Sequence, residues 1–198
     1  MSSEVRTAGS ADLARVVEVF ALAFADDPVW GVWSFPGVDD PAARLREYWV
    51  PFVEAAIRFG GIDILGDVAA VALWVPPGGS ELDAEGEVAV EAMLPRVCPE
   101  RGAPAMERCF EAFEESHPTK PHWYLSLLAT HPDHRGQGAG MALVADRLAK
   151  VDAERGEAYL ESTNPANVKR YERAGFELIG SFDVPMGPTV DQMWRPPQ

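Results

Sequence analysis

Leu13, Val16, Val17, Phe20 and Phe24 recur at helical spacing, which predicts an amphipathic helix with that face on a core. Ahead of it, Val5-Arg6-Thr7 reads as a short strand. Ser10 is placed to cap the helix, with Asp12 in its first turn. Asp26-Asp27-Pro28 stops it, and a tryptophan-rich connection with Trp30, Trp33 and Phe35 follows. Asp40-Pro41 supplies a cap and a proline at the first helical position. The helix it opens runs toward Phe59, where Gly60-Gly61 ends it, and Pro51 should kink or split it.

The pattern then shortens to strands. Ile62 to Leu65 and Val68 to Val75 flank Gly66-Asp67, a two-residue hairpin signal, and Pro76-Pro77-Gly78-Gly79 closes the second strand. Glu81 to Pro118 is acidic and proline-punctuated, and is expected as two helical pieces. Trp123 to Thr130 is an apolar run that reads as a central strand. Met141, Val144, Ala145, Leu148 and Val151 make the next helical stripe. Ala158 to Glu161 is a strand parallel to the central one through a right-handed crossover. Asn167 to Ala174 is a short helix with Gly175 just past its end, and Glu177 to Phe182 and Gln192 to Arg195 complete a mixed sheet. The fold class expected is α+β (mixed α/β). No repeat, low-complexity tract or linker interrupts the 198 residues, so one domain over 1–198 is expected.

Composition narrows the function. The N-terminus lacks the basic and apolar regions of a signal peptide, and the longest apolar run, Val68 to Val75, is too short to cross a bilayer. A cytoplasmic protein without a membrane partner is expected. The net charge of −14 argues against nucleic acid as a partner and favours a cationic acceptor, although solubility accounts for most of it. Cys98 and Cys109 form no Cys-x-x-Cys pair and read as buried or idle thiols. His131 and His134 read as loop residues, and no metal is expected.

Arg135-Gly136-Gln137-Gly138-Ala139-Gly140 lies between the central strand and the following helix. A strand, a glycine-rich turn and a helix start converge backbone N–H groups and partial positive charge on one point, which is an anion cradle. A P-loop would need Gly-Lys-Ser/Thr, but Gly140 is followed by Met141 and Ala142. A dinucleotide fingerprint would need Gly-x-Gly-x-x-Gly, which the spacing does not match. Arg135-x-x-Gly138-x-Gly140 resembles instead the pyrophosphate signature of the GNAT acetyltransferases. Pro132-Asp133-His134 before the loop, and Asn167 to Phe176 with its Asn, Tyr and terminal Gly-Phe, resemble that family too. Ala23 to Pro28, Tyr159 to Ser162 and Met193 to Arg195 resemble the puromycin N-acetyltransferase subgroup, as do the length and the Glu81–Pro118 segment.

The resemblance implies the GNAT fold: a mostly antiparallel mixed sheet, a splayed parallel pair of middle strands, and helices on both faces. It implies acetyl-CoA as cosubstrate. The main chain of Leu128, Ala129 and Thr130 would hold the pantetheine arm and polarise the thioester. Arg135, Gly136, Gln137, Gly138, Ala139, Gly140 and Met141 would hold the pyrophosphate, with Lys169 or Arg173 adding positive charge. Asn167, four residues before Tyr171 and so on the same helix face, would steady the cofactor. Tyr171 is the candidate general acid, since a phenol (pKa about 10) stays protonated at neutral pH and can donate to a leaving thiolate. Glu161 is the candidate general base, acting through water, with His122 a weaker candidate. Asp26, Asp27, Trp30, Trp33 and Trp123 offer carboxylates and aromatic faces to an acceptor cation. The expected reaction is direct, ternary-complex transfer of acetyl to a primary amine of an antibiotic- or metabolite-like small molecule. A protein lysine or N-terminus as acceptor, a CoA-binding module without catalysis, and a homodimer all stay open.

Overall fold

A computed structural model describes residues 4–198. Its centre is a seven-stranded sheet in the order β1-β2-β3-β4-β5-β7-β6. The strands are β1 (Val5–Thr7), β2 (Ile62–Leu65), β3 (Ala70–Val75), β4 (Trp123–Thr130), β5 (Ala158–Ser162), β6 (Glu177–Asp183) and β7 (Thr189–Arg195). All neighbours pair antiparallel except β4 and β5, which are parallel. The mixed fold expected from the sequence is the one found.

Helices cover both faces. On one lie α1 (Leu13–Phe24), α2 (Pro41–Tyr48), α3 (Val50–Arg58), α4 (Ala84–Val97) and α5 (Ala103–Ser116), around a core with Phe20, Leu45, Trp49, Val53, Val71, Leu73 and Leu127. On the other lie α6 (Ala139–Ala153) and α7 (Val168–Arg173), over Ala72, Trp74, Leu125, Leu143, Leu148, Leu160 and Phe176. Cover on both sides explains why β3 is apolar at every position and wholly buried.

Local chemistry sets most boundaries. Asp40 accepts from the Ala43 amide and Pro41 opens α2; Pro51 forces the break at Trp49 that separates α2 from α3. At the end of α7, the Gly175 amide donates to the Glu172 carbonyl and the Phe176 amide to the Tyr171 carbonyl. With Gly175 at φ 89° and the Phe176 ring against that of Tyr171, this is a Schellman stop.

Four local expectations are corrected. Ser10 makes no side-chain cap; Gly9 precedes a 3₁₀ turn, and the Asp12 carboxylate accepts the Gly9 amide at 2.9 Å while it pairs with Arg6. Asp12 does this because its oxygens reach back three residues to the Gly9 amide. The β2–β3 turn spans four residues, 66–69, with Leu65 opposite Ala70. Val68 adopts φ 58° there and is buried, and the Ala69 carbonyl accepts from the His131 amide, so burial and a tertiary bond override the two-residue signal. The buried face of α6 is Ala139, Gly140, Leu143, Val144, Leu148 and Val151; Ala145 is exposed and Met141 half-buried, because the helix is rotated to bring Gly140 against β4. Strand β7 starts at Thr189, earlier than the apolar pattern, because its polar residues pair with β6.

Among the described residues no helix is long and apolar enough to cross a membrane.

Candidate active site

Strands β4 and β5 share two paired positions, Trp123 with Ala158 and Tyr124 with Tyr159. Past them, β4 stays on β3 as far as Thr130, while β5 stays on β7. The main-chain groups that Leu125 to Thr130 turn toward β5 therefore have no strand partner, and a wedge opens. The register slip that places Leu73 opposite Leu127 but Trp74 opposite Leu125 leaves Ser126 as an extra residue in β4. This bulge switches faces: Leu125 packs under α6, while Leu127 and Ala129 pack under α1. It also aims Ser126 at the carboxylate of Glu81, to which its hydroxyl donates.

At the wide end of the wedge lies the glycine loop. Gly136 and Gly138 have φ of 78° and 79°, and a Cβ on either would meet nothing within 4 Å. Their glycines serve the left-handed turn and leave open space in front of it. Gly140 has a different reason: its Cβ would lie 2.8 Å from Thr130 Oγ1, so it permits close packing of α6 on β4. Among the described residues, the six amides from Gly136 to Met141 donate to no main-chain acceptor, and the last three belong to the open first turn of α6. Arg135 is exposed beside them, its guanidinium 3.4 Å from the Ala23 carbonyl. A row of free amides with no side chain in the way fits a pyrophosphate, and the open edge of β4 fits an extended amide-bearing arm.

Below the wedge is a cavity of about 740 Å³. Leu128, Glu161, Asn167 and Tyr171 line it. Tyr171 is half-buried, and burial pushes its phenol up to about 12. The Asn167 side chain accepts from Arg170 at 2.8 Å and precedes α7. Glu161 is almost wholly buried; Oε1 lies 3.3 Å from His117 Nδ1, and Oε2 has no hydrogen-bond partner. An unpartnered buried carboxylate oxygen on a cavity wall calls for a donor from a ligand.

The remaining predicted positions separate. Trp30 lines the cavity within a cage of Tyr48, Trp49, Phe110 and Phe113, the Phe113 ring centroid 5.4 Å away. Asp27 reaches the wall, but its carboxylate serves the frame: Oδ1 accepts from the Val29 and Trp30 amides and Oδ2 from Thr163 Oγ1 at 2.6 Å. Asp26, Trp33 and Trp123 do not line the cavity. Trp33 lies under Arg101, 4.3 Å from guanidinium to ring, and Trp123 packs beside Arg147. Each is held by a neighbour remote in sequence, which residue type alone does not show.

The structure adds residues that sequence reasoning left out. Glu81, Ser126 and His117 line the cavity; His122, the weaker base candidate of the sequence, lines it too, 3.1 Å from His117 Nε2. Burial pushes the Glu81 carboxyl up, against the Ser126 hydrogen bond. Carboxylates outnumber cations along the wall: Asp27, Glu81, Glu87, Glu114 and Glu161 face Lys120. The signal was the acidic Glu81–Pro118 segment, which supplies Glu81, Glu87 and Glu114 to this wall.

Comparison with known proteins follows this geometry. Residues 105–176 match the model of the acetyltransferase (GNAT) family. The histone acetyltransferase HPA2 and related acetyltransferase of Corynebacterium glutamicum superposes with a TM-score of 0.70 at 29% identity, over 100% of this chain and 98% of that one. The fold is that of the GNAT acetyltransferases. Drosophila melanogaster polyamine N-acetyltransferase shares it at a TM-score of 0.62 and 14% identity, over 98% and 99% of the two chains. So does arylalkylamine N-acetyltransferase 2 of Aedes aegypti, at 0.61 and 16%, over 98% and 99%. Within the GNAT frame, the matched stretch runs from α5 through β4, the glycine loop and α6 to the Schellman stop after α7.

Proposed function

We propose that this protein transfers acetyl from acetyl-CoA to the primary amine of a small molecule, in one ternary complex. The observation that carries the reading is the wedge past Tyr124 and Tyr159, with six free loop amides at its mouth and Tyr171 and Glu161 in the cavity below. Amides of Gly136 to Met141 hold the diphosphate, and the open edge of β4 at Leu128 to Thr130 holds the pantetheine arm and supplies an N–H to the thioester oxygen. Glu161 takes a proton from the acceptor ammonium, and Tyr171 protonates the departing sulfur. The acidic wall and the aromatic cage favour a cationic head on an apolar body over an anionic or strongly polar acceptor. Asn167, on the cavity wall beside Tyr171, steadies the arm. A puromycin-like amine is one such acceptor.

Acetyl-CoA should raise the melting temperature, and thiol release should appear with members of a panel of arylalkylamines, polyamines and amine-bearing antibiotics. A shift without thiol release for any small amine, but with release on lysine peptides, moves the acceptor to protein, the reading that the name of the Corynebacterium glutamicum protein raises. A shift with no release at all leaves a CoA-binding module. No shift ends the proposal.

A further inference from the structure

Acetyl transfer from acetyl-CoA to an ammonium releases one proton. The C–S bond breaks and the C–N bond forms; nitrogen gives up two protons, sulfur takes one, and the other has to reach solvent. Glu161, the acceptor-side carboxylate in the reading above, is buried, with its side chain 2% exposed, so it cannot discharge that proton directly.

A chain of hydrogen bonds leads away from it. Glu161 Oε1 lies 3.3 Å from His117 Nδ1, His117 Nε2 lies 3.1 Å from His122 Nε2, and His122 Nδ1 lies 2.6 Å from the Lys120 carbonyl. The tautomers follow from the far end. A carbonyl only accepts, so His122 Nδ1 carries a hydrogen. Neutral His122 then offers a lone pair at Nε2, and His117 Nε2 donates to it. Neutral His117 is left with a lone pair at Nδ1, facing the Glu161 carboxylate. That contact lacks one proton and is completed when it receives one. Burial lowers the basicity of His122, which keeps that ring neutral and the chain from running on through it. The His117 side chain is also 33% exposed, so it reaches solvent where Glu161 does not.

We infer that His117 is a proton-relay and positioning residue that empties Glu161 between turnovers, an inference that rests on the acetyl-transfer reading. Glu161 Oε2 takes the ammonium proton. A half-turn of the carboxyl presents it to His117 Nδ1, where an N–H bond forms as the O–H bond breaks; a swing of the part-exposed ring, which breaks its contacts with Glu161 and His122, then lets Nδ1–H pass the proton to water. His117 sits at the end of α5, where Gln192 of β7 donates to the Ser116 carbonyl at 2.6 Å and to the Tyr159 hydroxyl, fixing the helix end against the site. The groups facing the relay are Tyr159 from β5, Tyr124 from β4, Glu81 from the segment before α4, Glu114 from α5 itself, and Lys120 and Glu157 around His122. Burial holds the two tyrosines protonated, so they do not compete for the proton across neutral pH.

The test is thiol release against pH with an amine that the wild type accepts. His117→Asn puts a polar amide of similar reach beside Glu161 but cannot carry a proton. Its kcat should fall about 10- to 100-fold at neutral pH, a modest share of general acid–base catalysis, with KM for acetyl-CoA and amine within about threefold. The deficit should shrink as pH rises, because more of the amine then arrives already neutral. In His117→Ala, added imidazole should restore rate in proportion to its free-base concentration. A His117→Asn profile parallel to the wild type, or a folded, acetyl-CoA-binding His117→Ala that imidazole does not rescue, overturns the relay alone. A wild type that releases thiol with none of the amines overturns the acetyl-transfer reading, and the relay with it.

Discussion

Tyr124 and Tyr159 are the last residues that β4 and β5 share in register, and the cavity opens directly beyond them. Both rings stay in the wall of the relay, their centroids 6.0 Å apart, each edge-on to His117. The end of one parallel ladder thus creates three things at once: an unpaired strand edge, a space for an acceptor, and a seat for His117. Four further consequences can be measured.

Tyr171→Phe removes a hydroxyl and almost no volume. Acetyl-CoA binding, read by calorimetry, should stay within about twofold, while kcat falls about 100-fold or more, the usual range for losing a positioned acid. Burial pushes the Tyr171 phenol up to about 12, so the wild type should show no loss of kcat from this group at moderately alkaline pH. Full turnover in the variant removes Tyr171 from the chemistry.

Two glycines of one loop should fail differently. Gly138→Asp places a side chain at φ 79° and a carboxylate among the free amides, and should weaken acetyl-CoA binding at least tenfold, about 1.4 kcal/mol. Gly140→Ala should instead cost stability, about 1–3 kcal/mol by urea titration, through its contact with Thr130 Oγ1, and Thr130→Ala should relieve part of that cost. A Gly138→Asp protein that binds the cofactor normally would show the loop to be misread.

Asp27 should prove to be a frame residue with a pH signature. Asp27→Ala strands the Val29 and Trp30 amides and the Thr163 hydroxyl, a cost of about 2–4 kcal/mol. Burial raises the Asp27 carboxyl above its unfolded value, against three hydrogen bonds. Its contribution is therefore full below the unfolded aspartate range and is lost as pH rises through the folded value. Asp27→Asn does not titrate, so its stability relative to wild type should improve from acid to neutral pH. The opposite trend in urea midpoints would reverse this assignment.

Asp63 on β2 and Arg147 on α6 form a doubly hydrogen-bonded pair, both bonds 2.9 Å, with side chains 3% and 15% exposed. Asp63→Ala strands a buried guanidinium and should cost about 3–5 kcal/mol. The double variant Asp63→Leu with Arg147→Met should recover part of that loss in melting experiments. Equal or greater loss in the double variant would mean that the pair itself, not the stranded charge, holds α6 on the sheet.

Much of this molecule was legible in short stretches of sequence. Trp123 to Thr130 is a mostly apolar run broken only by Ser126 before its final Thr130, and β4 has those bounds. Asp40-Pro41, Pro51 and Gly175 mark helix boundaries through chemistry confined to one turn, so their reading needed no distant partner. The loop from Arg135 to Gly140 falls in the same class, because free amides and positive φ are properties of adjacent residues.

What sequence alone determined is therefore the set of elements and the glycine cradle, since hydrophobic period, caps and glycine conformation act within a few residues. The tertiary structure alone decided where pairing stops between β4 and β5, which tryptophans face the cavity, and that His117 meets Glu161. Those outcomes depend on a bulge at Ser126, a ladder closed by β7, and the end of α5 brought against β5 across 44 residues of chain. Trp30 and Trp33 lie three residues apart with similar chemistry, yet one walls the cavity and the other lies under Arg101, because long-range packing assigns each side chain its face.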